Sequence, residues 1–222
     1  KKKVNLKVAI IGAGPAGLSA AYQLACYGAK IDLFEREAEA GGIVKYGIPD
    51  ARVDKSLLNK EIERLFKSFK NISISYNKEI QPDEIDNLKK DYDFILLANG
   101  THAPQTTEVK GAVYGIEALK NYHKQKYVFP KNGHYLVQGG GNTAMDVVFY
   151  LLENNNQVTV LVRREKEKMR AFSKEIALVE KKGAKILPLS ELKEWNEKTK
   201  RASIKQNSGK IELQIDGIFA CF

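Results

Sequence analysis

Cysteine is nearly missing: Cys26 and Cys221 are the two in 222 residues. Two thiols cannot build a disulfide framework, a four-cysteine iron–sulfur cluster or a cysteine-rich zinc site, so any such centre has to come from another chain. Their separation also excludes the closely spaced redox pair of a disulfide reductase. Thiols this sparse fit a reducing, cytoplasmic compartment. Histidine is scarce too, and His123 and His134 share no metal-ligand spacing, so no metal site is expected. There is no aromatic-studded basic tract. The formal charge is +9, but cations interleave with acids, as in Lys60-Glu61-Ile62-Glu63-Arg64, which argues against a nucleic-acid partner. Nor is there an unbroken lipid-facing run. Val8 to Ala29 carries no charge and is long enough to cross a bilayer, yet Gly12, Gly14, Pro15 and Gly17 break it into strand, turn and helix. No signal-peptide cleavage site follows a short apolar region. A soluble protein without a membrane partner is expected, and its start at Lys1 in place of Met is expected to reflect trimming.

What is present is ordinary globular composition, 43% hydrophobic and 28% charged, enough to bury one large core or two small ones. Val8-Ala9-Ile10-Ile11 is a β-rich run leading into Gly12-Ala13-Gly14-Pro15-Ala16-Gly17, after which Leu18 to Tyr27 reads as a buried helix and Ile31 to Glu35 as the next strand. This is a βαβ unit, whose home is a parallel sheet covered by helices. Leu57, Leu58, Ile62, Leu65, Phe66 and Phe69 recur at helical spacing, predicting an amphipathic cover helix. Ile72 to Tyr76 alternates as a half-buried strand, and Phe94-Ile95-Leu96-Leu97 reads as a fully buried one. After a helix around Ile116 to His123 the opening pattern returns: strand Tyr135-Leu136-Val137, turn Gly139-Gly140-Gly141-Asn142-Thr143-Ala144, helix Met145 to Leu152, strand Val158 to Val162. One supersecondary unit thus occurs twice, about 125 residues apart, which implies two nucleotide-binding lobes.

In such a turn the first glycine permits the tight bend, the second lets backbone approach a pyrophosphate, and the third position must be small for helix and strand to pack. Gly12, Gly14 and Gly17 meet these demands, and Gly139, Gly141 and Ala144 repeat them. The two second strands end differently. Glu35 stands roughly two dozen residues beyond Gly12, where an acid accepts hydrogen bonds from an adenosine ribose and repels a 2′-phosphate. At the matching place after Gly139 stand Arg163 and Arg164, whose guanidinium forks can clasp a phosphate. The first lobe is expected to prefer FAD or NAD, the second NADP(H).

These residues resemble the flavoprotein reductases with two dinucleotide-binding lobes, most closely the NADPH-oxidising small subunit of bacterial glutamate synthase and its relatives, with dihydropyrimidine dehydrogenase and adrenodoxin reductase further off. Beyond the glycine turns the likeness includes Gly41-Gly42-Ile43-Val44-Lys45-Tyr46-Gly47-Ile48-Pro49, Arg52-Val53-Asp54-Lys55, Ala98-Asn99-Gly100 (Ala-Thr-Gly in the larger class), Met169 and Glu175. It implies an α/β fold of two Rossmann-like lobes with parallel sheets, the NAD(P) lobe inserted in the FAD lobe: residues 1–103 the N-terminal part of the FAD lobe, 104–222 the NADP(H) lobe. It implies FAD contacts at Ala16, Glu35, Ile43 and Ile80, and NADPH contacts at Gly140, Gly141, Asn142, Thr143, Arg163, Arg164 and Glu175. Further cofactor-binding candidates in the same segments are Pro15, Arg36, Gly42, Tyr46, Arg52, Ala98, Asn99 and Gly100.

The resemblance also predicts what is missing. Many members carry an N-terminal iron–sulfur domain, which is not expected within these 222 residues. In the group the chain returns after the inserted lobe to complete the flavin site; Ile215 to Phe222 resembles the last strand of that lobe, so the returning segment is expected to lie outside these residues. A fragment, a cleaved or disordered segment, or a partner that supplies it would each account for this, and weak flavin binding is expected. The implied reaction is hydride transfer from NADPH to FAD, then electron transfer to an acceptor subunit or iron–sulfur protein, with no essential side-chain acid, base or nucleophile. The alternatives are a scaffold or sensor that binds the nucleotides without turnover, and an FAD-only oxidase, for which the second turn would have no purpose. Cys26 reads as core, and His102 as a turn residue rather than a flavin neighbour.

Overall fold

The structure, a computed structural model, describes residues 5–100, 107 and 109–222; His102 lies outside them. The chain divides into two compact units, Lys1–His102 and Ala103–Phe222.

The first unit runs β1 (Lys7–Ile11), α1 (Pro15–Cys26), β2 (Lys30–Phe34), α2 (Gly42–Tyr46), α3 (Lys55–Ser68), β3 (Ile72–Ser75), α4 (Ile85–Asp91) and β4 (Phe94–Leu97). Its strands form one parallel sheet in the order β3-β2-β1-β4. The crossover order reverses at β1, which has β2 on one side and β4 on the other. In an open α/β sheet the crevice for a ligand lies beyond the carboxyl end of such a strand. Val8, Ile10, Ile31 and Leu33 fill the core against Ala21 and Ala25 of α1, with Ile62, Leu65 and Phe66 of α3 packed alongside. Alanines suit α1 because the helix lies close on the sheet. Asp54 starts α3 by accepting from the Ser56 and Leu57 N–H groups at 2.8 and 3.1 Å, a normal N-cap.

Two expectations fail in this unit. The helix after the first turn buries only Gly17, Ala21 and Ala25, and Cys26, read as core, is exposed. Ala25 takes the inward position, and one residue further a helix has turned by about 100°. The strand read as fully buried is β4, yet Phe94 is 60% and Leu97 65% exposed. β4 is an edge strand, and an apolar run cannot tell a strand covered on both faces from one at the margin.

The second unit runs β5 (Val113–Tyr114), α5 (Gly115–His123), β6 (His134–Gln138), α6 (Asn142–Glu153), β7 (Gln157–Val162), α7 (Ser173–Lys181), β8 (Lys185–Pro188), β9 (Ser190–Asn196), β10 (Arg201–Gln206), β11 (Gly209–Gln214) and β12 (Gly217–Ala220). A parallel sheet has the order β5-β12-β6-β7-β8, reversing at β6. A second sheet, β11-β10-β9, is antiparallel and was not expected. Two cores flank the parallel sheet. Val137, Val160 and Phe219 pack with Met145, Val148 and Leu151 of α6, while Leu136, Leu161 and Ile218 pack with Ala202 and Ile204 of β10 and with Ile215.

Candidate dinucleotide crevices

The two glycine turns are built to one plan. Gly12 N–H donates to the Phe34 carbonyl at 2.8 Å, and Ala98 N–H to the Ile11 carbonyl at 2.8 Å. In the second unit Gly139 N–H donates to Leu161 at 3.0 Å and Cys221 N–H to Gln138 at 2.8 Å. Each first glycine therefore sits between the ends of both neighbouring strands. Gly12 and Gly139 have φ of +103° and +138°, and a Cβ on them would lie 2.5 Å from the Ala98 carbonyl oxygen and 2.1 Å from that of Cys221. Only glycine fits.

The second glycines differ in kind. Gly14 and Gly141 cap α1 and α6 with extended backbone, φ −75° and −99°, which any residue adopts. A Cβ on Gly14 would meet only the Gly42 Cα, at 3.8 Å, and one on Gly141 would meet nothing within 4 Å. Open space is what a cradle for a diphosphate requires, and neither helix N-terminus has a side-chain cap, so their first N–H groups are available to an anion. At the third position Gly17 leaves no room, since a Cβ would lie 1.9 Å from the Gly12 oxygen; Ala144 is accommodated and wholly buried.

In the first crevice Glu35 is buried, and its carboxylate is fixed to backbone: Oε2 accepts from Ala13 N–H at 2.7 Å and Oε1 from Glu37 N–H at 2.9 Å. No ion pair to Glu35 is found among the described residues. Each oxygen keeps a lone pair for a further donor. Arg36 points elsewhere, 3.8 Å from Glu37 and 3.6 Å from Glu79. The Gly41-Gly42 pair folds back onto the turn: Gly41 N–H donates to the Ala13 carbonyl at 2.9 Å, and a Cβ on Gly42 would lie 2.8 Å from the Gly14 Cα. This brings Ile43 and α2 beside Gly14. Tyr46 is buried, its hydroxyl donating to the Glu39 carbonyl at 3.5 Å, and burial together with Glu39 pushes its pKa up to about 12. Pro15, Ala16, Asn99 and Gly100 are exposed, while Arg52, Ile80 and Ala98 are half-buried.

The second crevice is a cleft of about 340 Å³. Gly139, Gly140, Gly141, Arg163 and Arg164 line it together with Gln138, Lys168, Met169, Arg170, Ser190, Glu191, Leu192, Cys221 and Phe222. Both arginines are exposed, and Arg163 stacks on Phe222 with its Cζ 5.9 Å from the ring centroid. No carboxylate engages either guanidinium within ion-pair distance among the described residues. Lys193 chiefly, with a contribution from Arg163, holds the Glu191 carboxyl below its usual range. Asn142, at the start of α6, accepts from Phe172 N–H at 3.0 Å through Oδ1, so its side chain secures the neighbouring loop. Glu175 is buried on α7, 4.0 Å from Lys174, and Thr143 is half-buried on α6.

The sequence reading missed Gln138, Lys168, Arg170, the start of β9 and Phe222 as cleft residues. Lys168 and Arg170 follow the paired arginines closely enough to have been weighed as one basic segment; β9 had no comparable signal. Burial pushes the Cys221 thiol far above its ordinary range, with Asp146 adding to the effect, so it is no thiolate nucleophile. No metal-binding cluster occurs among the described residues, and no helix there is long and apolar enough to cross a membrane.

A family model described as pyridine nucleotide-disulphide oxidoreductase matches residues 6–222. The chain is 37% identical over 186 residues to the NADP(+)-dependent formate dehydrogenase subunit beta of Moorella thermoacetica, covering 80% of this chain and 26% of that one. It is 34% identical over 212 residues to the NADPH-Fe(3+) oxidoreductase subunit beta of Geobacter sulfurreducens, covering 89% and 31%. To the glutamate synthase (NADPH) small chain of Bacillus subtilis it is 32% identical over 163 residues, covering 67% and 33%. The chain spans about a quarter to a third of the length of these curated relatives. Among solved structures, FprA from Mycobacterium tuberculosis in complex with NADPH aligns with a TM-score of 0.80 at 14% identity, covering 98% of this chain and 70% of that one. Lactococcus lactis thioredoxin reductase aligns at 0.68 and 23%, covering 98% and 77%. At these identities the structural likeness establishes the fold.

Proposed function

This chain belongs to the pyridine nucleotide-disulphide oxidoreductase family, and from that premise we propose that it is the dinucleotide-binding part of an NADPH-dependent flavoprotein that passes electrons to an acceptor outside the chain. Residues 1–103 take FAD and residues 104–222 take NADP(H). Bound together, these groups supply hydride chemistry of their own. The polypeptide binds, orients and discriminates.

The observation that carries this reading is the contrast between two otherwise equivalent turns. Glu35, held by the Ala13 and Glu37 amides, is a fixed anion that accepts from ribose hydroxyls and opposes a 2′-phosphate. Arg163 and Arg164 line the corresponding cleft without a carboxylate partner among the described residues, ready for a 2′-phosphate. Gly14 and Gly141 leave the space in which a diphosphate approaches α1 and α6. Cys26 is exposed and Cys221 buried, in different units, so this chain's contribution is electron delivery without a redox dithiol. The printed names of the relatives, two of them beta subunits, favour an acceptor on a partner subunit or iron–sulfur protein, and the sparse thiols favour a cytoplasmic setting.

The test is an absorbance spectrum of the purified protein during anaerobic NADPH titration. A flavin band bleached by NADPH supports the proposal; a colourless protein that binds NADPH would replace it with a non-enzymatic scaffold. Replacing Arg163 and Arg164 together with alanine should raise the NADPH dissociation constant about 100-fold or more and leave NADH almost unchanged, since each charge-assisted hydrogen bond contributes about 1.5–3 kcal/mol.

A further inference from the structure

The cleft of the second unit holds more positive charge than the paired arginines. Arg163, Arg164, Lys168 and Arg170 line it against Glu191. Lys168 is committed, its Nζ 2.7 Å from Glu165. Arg170 is exposed, and among the described residues no carboxylate lies within ion-pair distance of its guanidinium.

Backbone hydrogen bonds decide where Arg170 stands. Its N–H and that of Ala171 both donate to the Gly140 carbonyl at 3.0 Å, and the next N–H, of Phe172, donates to Asn142 Oδ1 at 3.0 Å. Three consecutive donors strap this segment to the glycine turn. The Arg170 backbone is therefore anchored at the middle glycine, Gly140, and the residue lines the same cleft as Gly141, where a Cβ would meet nothing within 4 Å, whereas Arg163 and Arg164 follow the end of β7. A helix N-terminus offers the equivalent of about half a positive charge, while a dinucleotide's diphosphate carries about two negative charges. A guanidinium on the segment strapped to the same turn adds one full positive charge to that half, with a fork suited to two phosphate oxygens.

We propose that Arg170 is the cation for the diphosphate bridge of the bound dinucleotide, dividing the work with Arg163 and Arg164 at the 2′-phosphate. This deepens the NADP(H) reading of the cleft and rests on it. Arg170 then answers the charge that NADH and NADPH share, and the pair answers the charge that NADPH alone carries.

Calorimetric titration of the whole chain with NADPH, ADP-ribose and adenosine 2′-monophosphate separates the two roles, because ADP-ribose has the diphosphate alone and adenosine 2′-monophosphate the 2′-phosphate alone. Arg170→Ala should weaken NADPH and ADP-ribose by a common factor of about ten, leave adenosine 2′-monophosphate within about twofold, and leave the melting temperature unchanged. Arg164→Ala should weaken NADPH and adenosine 2′-monophosphate and spare ADP-ribose, and Arg170→Lys, which keeps the charge without the fork, should fall between parent and Arg170→Ala. If Arg170→Ala weakened adenosine 2′-monophosphate and spared ADP-ribose, or altered none of the three, the assignment would be overturned while the NADP(H) reading stood. A parent protein that bound none of the probes would bring down that reading and the proposal together.

Discussion

Glu35 shows how one carboxylate is assigned its task by two amides. Both of its oxygens accept from backbone N–H groups in a buried position, so the charge is solvated by the turn it serves. In Glu35→Gln one oxygen can still accept, but the new NH2 group faces a backbone donor. Leaving a buried donor without an acceptor costs about 1–3 kcal/mol, so thermal melts should show the variant destabilised by that order even without nucleotide. The acid was legible in the sequence because it closes a strand at the right distance from a glycine turn. Its partners were not, since they are backbone atoms brought near by the bend at Ala13. Cys26 was misjudged for the opposite reason: periodicity locates a helix face only to within about one residue, and here one residue separates core from solvent.

At the scale of elements, the glycines sort into two physical classes, and substitution should separate them. Gly141→Ala places a methyl group where nothing lies within 4 Å, so urea denaturation should find stability within about 0.5 kcal/mol of the parent. Its NADPH dissociation constant should rise about tenfold or more, because the methyl group occupies the approach to the helix. Gly139→Ala places one 2.1 Å from a carbonyl oxygen at positive φ, and should lose about 3 kcal/mol or more of stability. A result with the two exchanged would contradict the cradle. The duplicated βαβ units were readable because apolar runs, glycine spacing and helix period agree there. The β10–β11 hairpin was overlooked although the Ser208-Gly209 turn signal and the alternation of Ile211 and Leu213 with Lys210 and Glu212 were present, because charged residues are interspersed through the stretch. β4 was found but its surroundings were misread, since burial depends on neighbours that the strand's own residues do not encode.

For the whole molecule, the titrating groups predict an alkaline limit to stability. Burial, then the hydrogen bond to Asp32, pushes the Tyr92 pKa up to about 12, and Tyr46 is raised to about the same value. A phenol whose folded pKa exceeds its unfolded pKa of about 10 stabilises fully below pH 10, and that contribution is lost as pH climbs from about 10 through about 12. The buried Cys221 thiol acts in the same direction. Urea midpoints should therefore fall above pH 10, and Tyr92→Phe should flatten the decline. An undiminished slope in that variant would remove Tyr92 from the account.

The second unit's parallel sheet places β12 between β5 and β6. Among the described residues β5 joins the sheet through that strand alone, although more than 100 residues of sequence separate Val113 from Phe219, its partner in register. Loop closure of this kind is slow. During folding, β5 and one edge of β6 must wait with unpaired backbone for a distant segment to arrive, an interval in which misassembly or chaperone capture competes with completion.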